Sequence, residues 1–398
     1  MDSTVDQSYE QSSSHVYMTT VHEMDGVDRT PQELSTDPLE EYSEDPIEMS
    51  ESLLRELAFA FPVSKLPEKF TLKVDQKLLD FAKERARTYR STRGLSSQWS
   101  LEGPSEDSMS MLANYWAQHY DWSAVQAKIN DDFDHYAITI GGNGDYKPDI
   151  HLHFIHIRSS NEKAIPLLLL HGWPSSHLLW SNIMEPLSDA FHLVAPDLPG
   201  FGFSPAPTES GLDPKFMAIA FDTMMKNLGY DKYGIVSTDL GLVVALYMAE
   251  VVGNSIIGHF TDFLLLNPTP EDQERMRKGE TTEEENEYIK AMNAWNTLHF
   301  AYAPIHATKP LLLSHSFADS PVGHAGWVWD LLHAASDGYS YSFDYIITTS
   351  LMLWIQEPYA GLRAYTESLK VRLHVKRSLS IPDVVTNSPI SSLGYLIA

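Results

Sequence analysis

The pentapeptide Ser237-Thr238-Asp239-Leu240-Gly241 follows an apolar run of strand length and precedes a helical segment. It sets an acid between two small flanking residues. A cramped strand-to-helix turn needs small flanks because backbone approaches closely there, and it leaves its middle side chain standing above the sheet. A carboxylate in that place attacks a carbon centre to give an ester, or moves a proton if burial raises its pKa. The same residues also suit an Asp that caps the following helix, and the pentapeptide alone serves both readings equally.

Two neighbouring segments tilt the balance towards chemistry. His171-Gly172-Trp173-Pro174 follows the buried run Ile165–Leu170, where backbone N–H groups of a loop can face a developing oxyanion. Asp197-Leu198-Pro199-Gly200-Phe201-Gly202 closes the next apolar run with a glycine-rich turn. The acidic run Glu283–Glu285 invites a metal, but behind Thr281 and Thr282 it reads as the first turn of a helix, complementing the dipole. Neither a metal nor a cofactor is expected.

The elements that must position these residues are legible in part. Ile165–Leu170, His192–Ala195, Tyr233–Ser237 and Ile257–Leu266 read as buried strands, with Trp180–Ala190, Phe216–Leu228 and Leu242–Val252 as helices between them. That alternation predicts an α/β fold with a mostly parallel sheet covered on both faces, whose ligands bind beyond the carboxyl ends of the strands. Upstream, Leu78, Leu79, Phe81 and Ala82, then Met111, Leu112, Tyr115 and Trp116, fall at helical spacing, and Tyr136–Ile140 with Ile150–Ile157 read as two antiparallel strands. The expected organisation is an acidic disordered head over 1–50, an N-terminal covering region over 51–160, a first core part over 161–267, a helical lid over 268–344 and a second, truncated core part over 345–398.

Composition narrows the function classes. With no Cys among 398 residues, disulfide frameworks, thiol nucleophiles and thiolate metal sites are excluded. The net charge of -26 is the wrong sign for a phosphate-neutralising groove, so nucleic acid is not an expected partner. The first 48 residues carry 13 acids against one Arg, which predicts a solvated leader. No apolar run reaches the roughly 18 residues of a membrane span, so a cytoplasmic protein is expected.

With these residues in place, the chain resembles the epoxide hydrolase family of the α/β-hydrolase fold, in its microsomal-type and fungal branch with an extra N-terminal region. The likeness runs from about Pro62 to Leu379 and rests on Tyr115–Trp116 with His119–Trp122, on Ile165–Pro174, on Asp197–Gly202, and on ATKP (Ala307–Pro310) and DSPVG (Asp319–Gly323). The resemblance implies that Asp239 attacks an epoxide carbon while Tyr302 and Tyr365 hydrogen-bond the ring oxygen. It places His171, Gly172, Trp173, Pro174 and Leu240 around the oxyanion and pocket. It also implies an apolar, neutral small-molecule substrate, such as a polyketide or terpenoid intermediate of fungal secondary metabolism, and is compatible with a homodimer. Trp173, Trp327, Trp329 and Trp354 are candidates to line the pocket.

Three departures accompany the likeness. Leu240 stands where the family usually has Trp; Ser378 stands at the aligned position of the carboxylate that follows the strand expected at Val371–Val375, with Asp383 as a distant substitute; and no histidine follows His374. The last strand is expected at Gly394–Ile397, where the loop bearing the histidine would begin. Either the sequence is cut short or the chemistry has left the two-step hydrolytic route. The expected function is therefore an epoxide hydrolase-like enzyme using Asp239, Tyr302 and Tyr365. The alternatives are a cyclase or isomerase on the same scaffold, with Asp239 as proton carrier, and an inactive binding homologue.

Overall fold

The computed structural model describes residues 58–96, 98–99, 102–263, 266–336 and 338–378, with side chains as far as residue 368. The acidic head, Asp383 and the strand expected at Gly394–Ile397 lie outside these residues. A two-residue strand β1 (Glu68–Lys69) is followed by helices α1 (Gln76–Arg87), α2 (Glu106–Gln118) and α3 (Trp122–Asp132), then by strands β2 (His135–Ile140) and β3 (Ile150–Ile157). Strands and helices then alternate as β4 (Ile165–Leu170), α4 (Ser181–Ser188), β5 (Phe191–Pro196), α5 (Pro214–Asn227), β6 (Tyr233–Ser237), α6 (Asp239–Val251) and β7 (Ile256–Thr261). Helices α7 (Pro270–Lys278), α8 (Glu283–Leu298), α9 (Tyr302–Thr308), α10 (Pro310–Asp319), α11 (Pro321–Ala335), α12 (Phe343–Trp354) and α13 (Tyr359–Ser378) complete the described chain.

Among the described residues the strands form one sheet in the order β1-β2-β3-β5-β4-β6-β7. β5, β4, β6 and β7 run parallel, whereas β1, β2 and β3 join by antiparallel pairing. The four parallel strands lack a hairpin between them because each returns through a helix, the crossover that parallel pairing demands. The first strand of this run, β4, lies between β5 and β6, so the chain winds outward from it in both directions. A crevice opens at such a reversal, beyond the carboxyl ends of β4 and β6, and Gly172 and Asp239 both lie there.

The runs at the sheet centre are apolar because both faces are covered. Leu168, Leu169, Leu170, Leu193, Val194 and Ala195 are fully buried, and each large aliphatic chain removed from water contributes about 1.5–3 kcal/mol. The N-terminal helices have their own core: Leu112, Trp116 and Tyr120 pack with Ile346, Ile347 and Leu351 of α12. No helix of the described residues is long and apolar enough to cross a membrane.

Three local expectations differ from the structure. Val371–Val375 lies within α13 rather than in a strand. Its alternating Val and Leu match a strand period, but nothing from Arg363 onward stops the helix, and Arg363 pairs with Glu367 at 2.8 Å across one helical turn. Strand β7 ends at Thr261, where the Thr261 side chain accepts a hydrogen bond from Phe263 N–H at 3.2 Å and turns the chain. The helix expected from Trp180 is preceded by a 3₁₀ turn, His177–Trp180, capped by Ser176.

The β6–α6 turn sets the tightest steric demand. A Cβ on Gly241 would lie 2.3 Å from the Leu170 carbonyl oxygen and 2.6 Å from that of His171. Because both obstacles are backbone, Gly241→Ala is expected to destabilise the fold by about 1–3 kcal/mol, whereas Gly253→Ala, with open space around its Cβ, should stay within about 0.5 kcal/mol of the parent. Urea titrations of the two variants check this, and equal midpoints would contradict it.

Candidate active site

Asp239 occupies the first turn of α6 with φ at +46°, a left-handed backbone that a non-glycine residue rarely adopts. Thr238, not Asp239, is the N-cap, and its side chain makes no capping bond. The turn is held open from β4: Thr238 N–H donates to Leu170 O at 3.1 Å. Gly172 is required opposite, because a Cβ there would lie 2.3 Å from Asp239 Oδ1 and 2.6 Å from Leu240 N. Of the two readings open at the pentapeptide, the geometry is that of a displayed carboxylate.

That carboxylate is partly buried and held by backbone donors. Trp173 N–H donates to Oδ1 at 2.9 Å. Burial raises the Asp239 pKa to about 6, partly opposed by the N–H groups of Leu240 and Trp173. The oxyanion-forming groups expected at Trp173 and Leu240 thus converge on the Asp239 side chain. Substituting Leu for Trp at 240 leaves its N–H contribution intact, because that contribution comes from backbone.

Four aromatic rings gather beside it. Tyr302 opens α9 and Tyr365 lies on α13; their ring centroids are 5.9 Å apart at 82°. Trp173 stacks on Tyr302 at 5.8 Å, and the His306 ring lies 4.6 Å from Trp173 and 4.9 Å from Tyr365. Thr366 Oγ1 donates to Ala307 O at 2.9 Å, tying α13 to α9 so that the two phenols keep one spacing. Burial, with the negative charge of Asp239 next in importance, raises both phenols above their ordinary values. They remain protonated, hence donors, at neutral pH. The two hydroxyls influence one another, yet Tyr365 Oη is buried without a partner at hydrogen-bond geometry.

His306 was not singled out by sequence reasoning. Its Nε2 accepts a hydrogen bond from Trp327 Nε1–H at 3.0 Å, which leaves the proton of the neutral imidazole on Nδ1. Nδ1 is buried without a partner, and burial lowers the ring's pKa to about 3. A protonated, unpartnered donor therefore sits among Trp173, Tyr302 and Tyr365. The only sequence signal was proximity to ATKP, four residues after Tyr302 and so on the same helix face.

Other expected site residues have different surroundings. His171 is fully buried; it donates through Nδ1 to Gly172 O at 3.1 Å and accepts from Leu198 N–H at 3.0 Å. It braces the loop from behind, against the Asp197–Gly202 turn, rather than facing Asp239. Pro174 follows Trp173 through a cis peptide bond. Of the four tryptophans, Trp173 lines the aromatic group and Trp327 reaches it through His306. Trp329 instead packs on Trp99 and Phe343, and Trp354 stacks on Phe81 and donates to Phe317 O at 3.0 Å, both in the core that α11 and α12 share with the N-terminal helices.

Comparison with known proteins bears out the fold. Residues 67–180 match the family model described as epoxide hydrolase N terminus, and residues 165–357 match that of the alpha/beta hydrolase fold. The chain is 30% identical over 279 residues to a candidate epoxide hydrolase of Stigmatella aurantiaca, covering 67% of this chain and 60% of that one. It is 28% identical over 291 residues to a juvenile hormone epoxide hydrolase of Bombyx mori, covering 65% and 61%. The chain spans about three fifths of the length of the curated relatives it matches. In fold it is similar to an enantioselective mutant of the Aspergillus niger epoxide hydrolase, with a TM-score of 0.66, 23% identity and coverage of 79% and 82%. The Bombyx mori juvenile hormone epoxide hydrolase structure gives a TM-score of 0.66, 24% identity and coverage of 79% and 80%.

The raised Asp239 pKa has a sign that stability measurements can read. An acid whose folded pKa of about 6 exceeds its unfolded value of about 3.9 costs stability once ionised, fully above pH 6 and not at all below pH 4. Asp239→Asn is therefore expected to be more stable than the parent by as much as about 3 kcal/mol at pH 7.5, with the difference vanishing near pH 4. Thermal melts across this range check it; a difference independent of pH would place the carboxylate in a solvated or compensated environment.

Proposed function

Since the chain belongs to the epoxide hydrolase family of the α/β-hydrolase fold, we propose that it opens an epoxide in an apolar, neutral small molecule. What supports this above all is a partly buried carboxylate, tethered at Oδ1 by Trp173 N–H, beside two protonated phenols that feel its charge. The oxygen not held by Trp173 attacks a ring carbon. As that bond forms, the C–O bond of the ring breaks and its electron pair passes to the ring oxygen, which takes a proton from Tyr302 or Tyr365. The products are a hydroxyalkyl ester of Asp239 and a phenolate that regains its proton from solvent.

In the ester, Oδ1 becomes the carbonyl oxygen and already accepts from Trp173 N–H, with Leu240 N–H also bonded to the carboxyl group. Water adding to the carbonyl carbon turns that oxygen into an oxyanion held by the same donors; one water proton passes to the departing alkoxide, which leaves as the diol, and the other passes to solvent, restoring the carboxylate. His306 Nδ1–H adds a third donor beside the phenols for a second oxygen of the substrate. The aromatic walls favour an apolar substrate, and the net charge of -26 disfavours an anionic one.

A second reading has its own support in the Asp239 pKa of about 6. A carboxyl group poised near neutrality also serves as a proton carrier, and a hydroxyl of the substrate could then open the epoxide to form a ring, making the protein a cyclase or isomerase. Incubating the full chain with an epoxide panel in heavy-oxygen water, with intact-mass measurement of the protein, separates the routes. The ester route predicts a protein adduct and label entering the protein before the diol; unlabelled ring products favour the cyclase; and no turnover with unimpaired binding by Asp239→Asn would leave only a binding protein.

Two further outcomes follow from the ester route. The single-turnover rate of adduct formation should fall about tenfold per pH unit below about pH 6, as Asp239 protonates. Tyr302→Phe and Tyr365→Phe should each slow ring opening about 10–100-fold, and the double variant by far more, as expected for donors that act on one developing charge. Rapid-quench kinetics checks both; a pH-independent rate, or single variants at parental speed, would count against the roles assigned.

A further inference from the structure

Behind the loop that carries Trp173, three buried histidines converge. His135 lies on β2, His153 on β3, and His177 opens the 3₁₀ turn three residues after Pro174. One ring nitrogen from each lies within 4.8 Å of the others, and all three side chains are buried. The remaining nitrogens are committed elsewhere. His153 Nδ1 lies 2.8 Å from Asp197 Oδ2 and His177 Nδ1 lies 2.9 Å from Asp197 Oδ1, while His135 Nε2 lies 3.1 Å from the Ile129 carbonyl oxygen. A carboxylate and a carbonyl only accept, so each of these three nitrogens is a donor.

The proton count then leaves a gap. A neutral imidazole has one proton, so His135 Nδ1, His153 Nε2 and His177 Nε2 are all left with bare lone pairs inside one buried cluster. His135 Nδ1 and His153 Nε2 stand 2.9 Å apart, a hydrogen-bond distance with no proton left to fill it once the outer donors are satisfied. His177 Nε2 has no partner at all although it is buried. Asp197 accepts from His153, from His177 and from the N–H groups of His177 and Phe203. None of these donors is cationic when the imidazoles are neutral. Three unprotonated nitrogens in one buried histidine cluster, beside a buried anion, call for a positive charge among them.

We propose that His135, His153 and His177 form a structural site for a divalent transition metal of the zinc class. Three imidazole nitrogens without sulfur suit zinc, nickel, copper or iron rather than calcium or magnesium, which prefer oxygen. The outer partners supply what histidine ligands ordinarily have: a carboxylate or carbonyl on the opposite ring nitrogen, fixing tautomer and orientation. Zn–N bonds of about 2.0–2.1 Å at tetrahedral angles set ligand nitrogens about 3.3 Å apart. Binding would spread the His135–His153 pair by a few tenths of an ångström and draw His177 inward. The rings of Phe70 and Phe203, 5.4 and 5.7 Å from that of His153, wall the cluster from solvent. The ion would clamp β2 and β3 to the segment that follows Pro174, bracing the loop whose Trp173 N–H holds Asp239. The site stands independently of the proposed reaction.

The test uses the full chain, stripped by dialysis against a chelator, reloaded with Zn(II) or Co(II), and passed through gel filtration. The wild type is expected to retain one equivalent of metal, to gain at least about 3 °C in melting temperature on loading, and to show nitrogen ligands at about 2.0–2.1 Å by X-ray absorption, with imidazole scattering from three rings. His177→Phe, which fills the same space without a ligand atom, should weaken retention at least about 100-fold while its circular dichroism stays that of the apo wild type. Because the chain holds 17 histidines, stoichiometry alone does not suffice. Less than about one fifth of an equivalent on the wild type, a first shell of oxygen only, or equal retention by a folded His177→Phe would each overturn the proposal. If His177→Phe does not fold, the wild-type absorption spectrum decides on its own.

Discussion

The close approach of two backbone segments at the ends of β4 and β6 governs everything else in this molecule. Gly172 and Gly241 are each within van der Waals overlap of the opposite segment if given a Cβ, and Asp239 takes a left-handed φ to pass between them. That geometry turns an acidic side chain from a helix cap into a displayed group and brings Trp173 N–H onto its oxygen at 2.9 Å. Burial then raises its pKa to about 6, low enough for ionisation at neutral pH and high enough for protonation within reach of mild acid. The display of the carboxylate and its raised pKa arise from one steric constraint.

Around this turn the molecule is supported in layers. The phenols come from α9 and α13, joined by Thr366 and Ala307, so their spacing is set by helix packing rather than by the sheet. Behind the turn, His171 links the Gly172 carbonyl to Leu198 N–H, and Asp197 gathers His153, His177 and Phe203. Moving this buried polar network would leave several donors and acceptors unsatisfied at once, each costing about 1–3 kcal/mol. The loop carrying Trp173 is thus stiffened from within the protein, and the face that carries Asp239 inherits that stiffness.

The likeness to epoxide hydrolases leaves room for a local departure from their pattern at Leu240. Leu240 changes a side chain but keeps the N–H that matters to the carboxylate. The segment Val371–Val375, read as a strand from its alternation, continues α13 instead, because a period of two over five residues is a weak signal beside a helix already propagating through Arg363 and Glu367. His306 went unnoticed for a related reason: a lone histidine has no periodicity, and only the indole of Trp327 and the rings of Trp173, Tyr302 and Tyr365 give it a role.

What the sequence determined by itself was whatever depends on near neighbours along the chain. Small residues flanking Asp239, strand-length apolar runs alternating with helical ones, and Thr and Glu at the start of α8 all act through contacts only a few residues apart, and such contacts can be read from one segment. The tertiary structure alone decided which distant residues meet. His135, His153 and His177 share no motif, yet pairing of β2 with β3, and of β3 with β5, brings them to one point beside Asp197. Likewise the fold set the facing of His171, inward rather than towards Asp239, and the placing of Trp329 and Trp354 in the core shared with the N-terminal helices. Meetings between distant residues are fixed by register and packing across the whole chain, and no single segment carries that information.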